Sequence, residues 1–177
     1  MLQLPKKNSS LTVSINGNQN DTICFIKQVA MKSKNDIFIQ NFINYFKITP
    51  DFDGVKKLFE IIFKNVKFMP DNPNIQTIRT PRRAFHDGFG NCVDYTTILS
   101  SFLLYLKIPH TIVMVSNDPG NPENFNHVYI KAFFNLTLDL VIGQAQDGTE
   151  KDKKQNERTP FFGVEAPYYK KIEFNLN

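Results

Sequence analysis

The spacing of apolar residues changes character along this 177-residue chain. After Asp21, which suits an N-cap, Ile23, Ile26, Val29 and Ala30 recur at helical intervals and predict a first helix. A second is predicted after Asn35, with Ile37, Phe38, Phe42 and Phe46 on one side. Thr49-Pro50 stops it, because the residue before a proline avoids the helical region. A third runs from Asp53 to Lys67 with a wide stripe of Val55, Leu58, Phe59, Ile62, Phe63 and Val66. Residues 69–91 read as irregular: residues 69–74 have turn chemistry, and Thr80-Pro81 is expected to break regular structure. A strong helix then runs from Cys92 to Lys107, carrying Tyr95, Ile98, Leu99, Phe102, Leu103 and Leu106, and stops at Ile108-Pro109.

Beyond that point the period falls to two. Thr111 to Val115 reads as a buried strand and Asn117 to Asn126 as a loop. From His127 to Phe133, His127, Tyr129 and Lys131 point one way and Val128, Ile130 and Ala132 the other. Leu136 to Val141 alternates again, and Tyr168 to Leu176 predicts a last strand. A short strand is also expected at Leu11 to Ile15, within a polar N-terminal stretch. Helices first and an antiparallel sheet afterwards argue for the α+β class. We read one domain over residues 1–177: a helical part (1–68), a core carrying the chemistry (69–142), a polar, charge-balanced and solvated loop (143–160) and a C-terminal strand segment (161–177).

Composition narrows the function classes. With 41% apolar and 21% charged residues the chain has an ordinary globular balance. The net charge of +4 is modest, and the 17 phenylalanines fall in apolar runs, so they read as core and no specific nucleic-acid partner is expected. Two cysteines, Cys24 and Cys92, are too few for a disulfide framework or a self-contained zinc finger, and neither metal nor cofactor is expected. No apolar run nears the ~20 residues of a membrane span. Met1 to Lys7 lacks the apolar stretch of a signal peptide, so the expected location is cytoplasmic, where thiols stay reduced.

The two cysteines differ in setting. Cys24 lies in an apolar helical stretch and reads as a packing residue. Cys92 opens a helix behind a glycine-bearing turn. A helix start carries partial positive charge, which favours a thiolate, and its unpaired N–H groups can receive an oxyanion. Asn91, with Asp94 three residues on, resembles a capping box. His127 supplies a base at the start of a strand, and Asp139 a group to orient it from the next strand. A three-residue connection, Phe133-Phe134-Asn135, would set residue 132 opposite 136 and 129 opposite 139, with Asn135 taking the left-handed conformation. His127 and Asp139 then become diagonal neighbours on one face, whereas an even connection would separate them. His86, which could line the cleft, and His110 are rival bases without a carboxylate in a following strand. Each residue taken alone is more often structural; their order and spacing make the case.

Thr80-Pro81, the run from Gly88 to Tyr95 and the run from Ser101 to Pro109 resemble the transglutaminase-like superfamily. In that family a Gly-x-Cys-x-Asp/Glu segment opens the nucleophile helix, and a Leu-Gly-Ile-Pro-like turn ends it. Asn126 to Ile130 is similar to its His-Val strand, and Leu138-Asp139 to its Leu-Asp strand. Two positions depart from the pattern: Asn91 replaces a frequent acidic residue, and Lys107 replaces the turn glycine. The resemblance implies a papain-like fold, a Cys92–His127–Asp139 triad and a protein or peptide substrate. The Cys92 N–H would help bind the oxyanion, with Gln76 a candidate second donor. Asn91 and Asp94 are further oxyanion or cleft candidates, with capping of the helix the preferred role of Asp94, and Tyr129 would flank the site. The N-terminal helices and the tail from Phe161 to Tyr168 are similar to small transglutaminase-like proteins of bacteriophages and prophages. That implies host cytoplasm or virion association, with other virion proteins as partners. The expected function is a cysteine-dependent hydrolase or acyltransferase acting on amide or peptide bonds, as a protease, amidase or transglutaminase-type enzyme. The alternative is a non-catalytic binding or virion-associated module that keeps the fold.

Overall fold

The computed structural model describes residues 10–14, 19–71, 75–133, 136–141, 161–162 and 168–176. The predicted solvated loop and the left-handed position assigned to Asn135 lie outside these residues. Three helices come first: α1 (Gln19–Ser33), α2 (Ile37–Phe46) and α3 (Phe52–Asn65). Asp36 caps α2 by accepting from the Phe38 N–H, and Asp51 caps α3 by accepting from the Gly54 N–H. Asp21 lies inside the first turn of α1, two residues past the helix start, so the predicted cap there is shifted. Helix α2 ends before Thr49-Pro50, at Lys47, whose φ of 50° places it in the left-handed region.

A second correction concerns residues 69–91. Strand β1 (Ser10–Ser14) pairs antiparallel with β3 (Ile75–Arg79), and β2 (Lys67–Phe68) pairs parallel with β4 (Phe89–Gly90). Between them Thr80-Pro81 starts a helix, α4 (Pro81–Asp87), where a break was expected. Thr80 caps it, and Pro81 takes the first helical position, where the missing N–H costs nothing and the fixed φ suits the helix. His86 therefore sits exposed on a helix instead of in a loop.

Helix α5 (Cys92–Tyr105) is the central element, buried nearly all round from Val93 to Leu103. Phe42 of α2, Phe85 of α4 and Phe102 of α5 meet with ring centroids 5.1 and 4.8 Å from Phe42, tying three helices together. Behind α5 comes a five-stranded antiparallel sheet. It is built from β5 (His110–Ser116), β6 (His127–Ala132), β7 (Leu136–Asp139), β8 (Phe161–Phe162) and β9 (Lys170–Leu176), in the order β8-β7-β6-β5-β9. Ile112, Met114, Val128, Ile130 and Leu138 join the main core with α5, while Val113, Val115 and Tyr129 form a smaller cluster with Tyr168. The β6–β7 register is the one predicted from an odd connection: Ala132 opposes Leu136 and Ile130 opposes Leu138. Phe133 opens that connection with a φ of 44°.

The turn after α5 accounts for one departure from the family pattern. Lys107 has a φ of 58°, the conformation that glycine adopts without steric penalty, so the backbone keeps the turn although the glycine is gone. Cys24 is a further correction. It lies exposed on α1, with its sulfur accepting from Gln28 Nε2 at 3.4 Å. The buried edge of α1 is Ile23, Ile26, Ala30 and Ser33, and Cys24 stands one residue off it.

Candidate active site

The capping box at the start of α5 is complete. The Asn91 side chain accepts from the Asp94 N–H at 3.0 Å, and the Asp94 carboxylate accepts from the Asn91 N–H at 3.0 Å. Cys92 is the first helical residue, half-buried, and its N–H has no partner within the helix. Gly90 allows this tight arrangement: a Cβ there would lie 2.8 Å from the Asp94 Cβ.

His127 and Asp139 come together as the strand register requires. His127 Nε2 donates to Asp139 Oδ2 at 2.6 Å, with the two residues only 4% and 1% exposed. The second carboxylate oxygen accepts from the Val141 N–H at 2.9 Å, which fixes the Asp139 orientation. His127 Nδ1 is buried and, among the described residues, makes no hydrogen bond of ordinary geometry. Cys92 nevertheless acts on this ring. Burial alone would push the His127 pKa down, but the hydrogen bond to Asp139, the interaction with Cys92 and the charges of both raise it to about 10. These interactions favour the charged form of the imidazole. Tyr129, two residues along the strand, lies with its ring centroid 5.8 Å from that of His127 and is itself buried.

A second polar cluster, absent from the sequence reading, surrounds the helix start. Asp94 is fully buried and accepts from the Arg79 backbone N–H and from Arg79 Nη1, both at 2.6 Å. Burial pushes its carboxyl up to about 6, against the Arg79 and Asn91 contacts that hold it down. The Arg79 guanidinium also lies 3.6 Å from both Asp71 and Asp87, and stacks over the Phe89 ring at 4.8 Å. Asp71 in turn accepts from Asn91 Nδ2 at 2.8 Å and from the Thr77 N–H at 2.5 Å. Arg83 donates to Asp87 at 2.6 Å. Asn91 and Asp94 thus spend their polar groups on the cap and on this cluster.

Thr96, also missed, links helix to sheet. Its buried hydroxyl lies 2.8 Å from the Cys92 carbonyl oxygen and 3.2 Å from that of Val128, the residue after His127. A threonine inside a helix carries no sequence signal for such a role. Gln76 is half-buried in β3, opposite Val13 of β1. His86 contacts its neighbour Asp87 at 3.3 Å, while His110 is buried and uses both nitrogens on Ile108 and Ser100.

A mixed helix and antiparallel-sheet fold, with a cysteine opening the central helix and a buried His–Asp pair in the sheet, defines the class. The model of the transglutaminase-like superfamily matches residues 40–146, and the chain belongs to that superfamily. Among solved structures, a candidate protease from Parabacteroides distasonis is similar over 63% of this chain at 13% identity, with a TM-score of 0.46. The match takes in 24% of that longer chain. No curated protein matches the chain. Among the described residues no helix is long and apolar enough to cross a membrane, and no group of His, Cys, Asp or Glu residues could hold a metal ion.

Proposed function

We propose that this protein is a cysteine-dependent hydrolase or acyltransferase acting on amide or peptide bonds. Cys92 is the nucleophile, His127 the acid–base group and Asp139 the residue that orients it. The observation that carries this reading is the buried His127–Asp139 hydrogen bond at 2.6 Å, with the second imidazole nitrogen left without an ordinary partner. An imidazolium held by a carboxylate is suited to pair with a thiolate.

The chemistry follows in two steps. The Cys92 sulfur attacks the carbonyl carbon, and the Cys92 N–H at the helix start receives the developing oxyanion. Gln76, in the strand whose Arg79 N–H reaches Asp94, is the proposed second donor. The C–N bond then breaks, and His127 gives its proton to the leaving amine. In the second step neutral His127 takes a proton from water or an incoming amine, which attacks the thioester and releases Cys92. Asp139 keeps one proton on Nε2 throughout and balances the imidazolium charge. Tyr129 covers one side of the ring. Asn91 and Asp94 shape the helix start without touching substrate. A protein or peptide substrate, met where thiols stay reduced, completes the proposal.

Alkylation tests it. In a Cys24→Ser background, which removes the exposed thiol, iodoacetamide at pH 6 should modify Cys92 many-fold faster than a free thiol. His127→Gln should abolish that advantage. A Cys92 that reacts no faster than a free thiol would replace the enzyme with the non-catalytic module.

A further inference from the structure

We infer that Arg79 is a positioning residue for Cys92, acting through Asp94: it cancels a buried carboxylate in the first turn of the nucleophile helix, so that the thiolate does not face an uncompensated negative charge. The inference rests on Cys92 being the nucleophile and adds to it a residue that touches neither the sulfur nor the substrate.

The argument starts from a conflict. A helix start favours a thiolate through its unpaired N–H groups. Asp94, two residues after Cys92 in the same turn, works against this, since a second anion nearby disfavours the first. The carboxylate is nevertheless retained: it completes the capping box and is wholly buried. Arg79 resolves the conflict from a neighbouring strand, with two donors to Asp94 at 2.6 Å. The guanidinium is itself held by Phe89, Asp71 and Asp87, so it is fixed before any substrate arrives.

The charged groups around the helix start come from every neighbouring element. Arg79 is in β3, Asp71 follows β2, and Arg83, His86 and Asp87 belong to α4. Asp94 is in α5 itself, His127 in β6 and Asp139 in β7. Without Arg79, the three carboxylates Asp71, Asp87 and Asp94 would be left with Arg83 as their main cation, and that residue binds Asp87.

The pair makes opposite predictions on one readout, which loosening of the helix start does not. In the Cys24→Ser background, the pH midpoint of Cys92 alkylation is measured. Arg79→Gln should raise it by about one pH unit, and Asp94→Asn should lower it by a comparable amount. The double variant should fall within about 0.3 unit of the parent, and Arg79→Lys, which keeps the charge, should stay close to it. Single variants that shift the midpoint in the same direction, or not at all, overturn the inference. Should Arg79→Gln fail to fold, Asp94→Asn decides alone: a lower midpoint supports the inference, and an unchanged or higher one overturns it. A parent Cys92 that behaves as a free thiol overturns the nucleophile reading instead, so the two failures are distinguishable.

Discussion

His110 and His127 sit in adjacent strands, each 4% exposed, and are held in opposite ways. His110 Nδ1 lies 3.0 Å from the Ile108 carbonyl oxygen, which can only accept, so that nitrogen carries the proton. Nε2 must then accept from the Ser100 hydroxyl, also at 3.0 Å. Both nitrogens are satisfied by neutral groups. Burial therefore lowers the His110 pKa, with the Ile108 carbonyl pulling the other way. His127 meets a carboxylate and is raised to about 10. At equal exposure the two shifts run in opposite directions, so the partners decide the sign. A carboxylate partner and the interaction with Cys92 then separate the histidine proposed to react from the structural one.

The largest expected effect breaks the reactive side. Asp139→Asn keeps the shape but loses the charge, and should slow acylation of Cys92 by an activated ester about a thousandfold or more. Ser100→Ala, which removes a partner of His110, should leave that rate within about threefold. Similar losses in both variants would erase the distinction between the two histidines.

Stability against pH sharpens it next. His127 is raised above 6.5, so its contribution is full below that pH and fades as pH climbs toward 10. His110 is lowered, so its contribution is present above 6.5 and is lost as pH falls through its folded value. Urea midpoints from pH 5 to pH 10 should show His127→Gln flattening the alkaline decline and His110→Gln flattening the acid one. Exchanged limbs would invert the assignment.

Ser100→Ala should cost about 1–3 kcal/mol in the same urea measurement, because it strands a buried ring nitrogen. The smallest effect is a control: Lys107→Gly should stabilise by about 1 kcal/mol, by relieving the left-handed backbone, and leave both pH limbs in place.

Much of this was legible in the sequence because it follows short-range rules. The helical stripes, the cap formed by Asn91 and Asp94, and the parity of the β6–β7 connection depend on spacing along the chain. That parity brings His127 and Asp139 onto one face before any coordinates are known. Arg79 was not legible. It lies 15 residues before Asp94, and nothing in its neighbourhood shows that its guanidinium meets three carboxylates. Thr96 was hidden for a similar reason, since its two carbonyl partners lie on different elements. The proline at position 81 was misread because proline ends helices from within but starts them at the first position.

The outer strands have a consequence for solubility. Open sheet edges invite pairing with other chains. Among the described residues, β8 closes one edge with Phe161 and Phe162. At the other, β9 places Lys171, Glu173 and Asn175 on one face, with Glu173 and Asn175 exposed. Between them lies β5, seven residues long and almost wholly apolar from Ile112 to Val115, with β9 covering its outer edge. A chain with β9 detached would present that strand as an adhesive edge, so the last strand acts as the guard against aggregation of the sheet that holds His127 and Asp139.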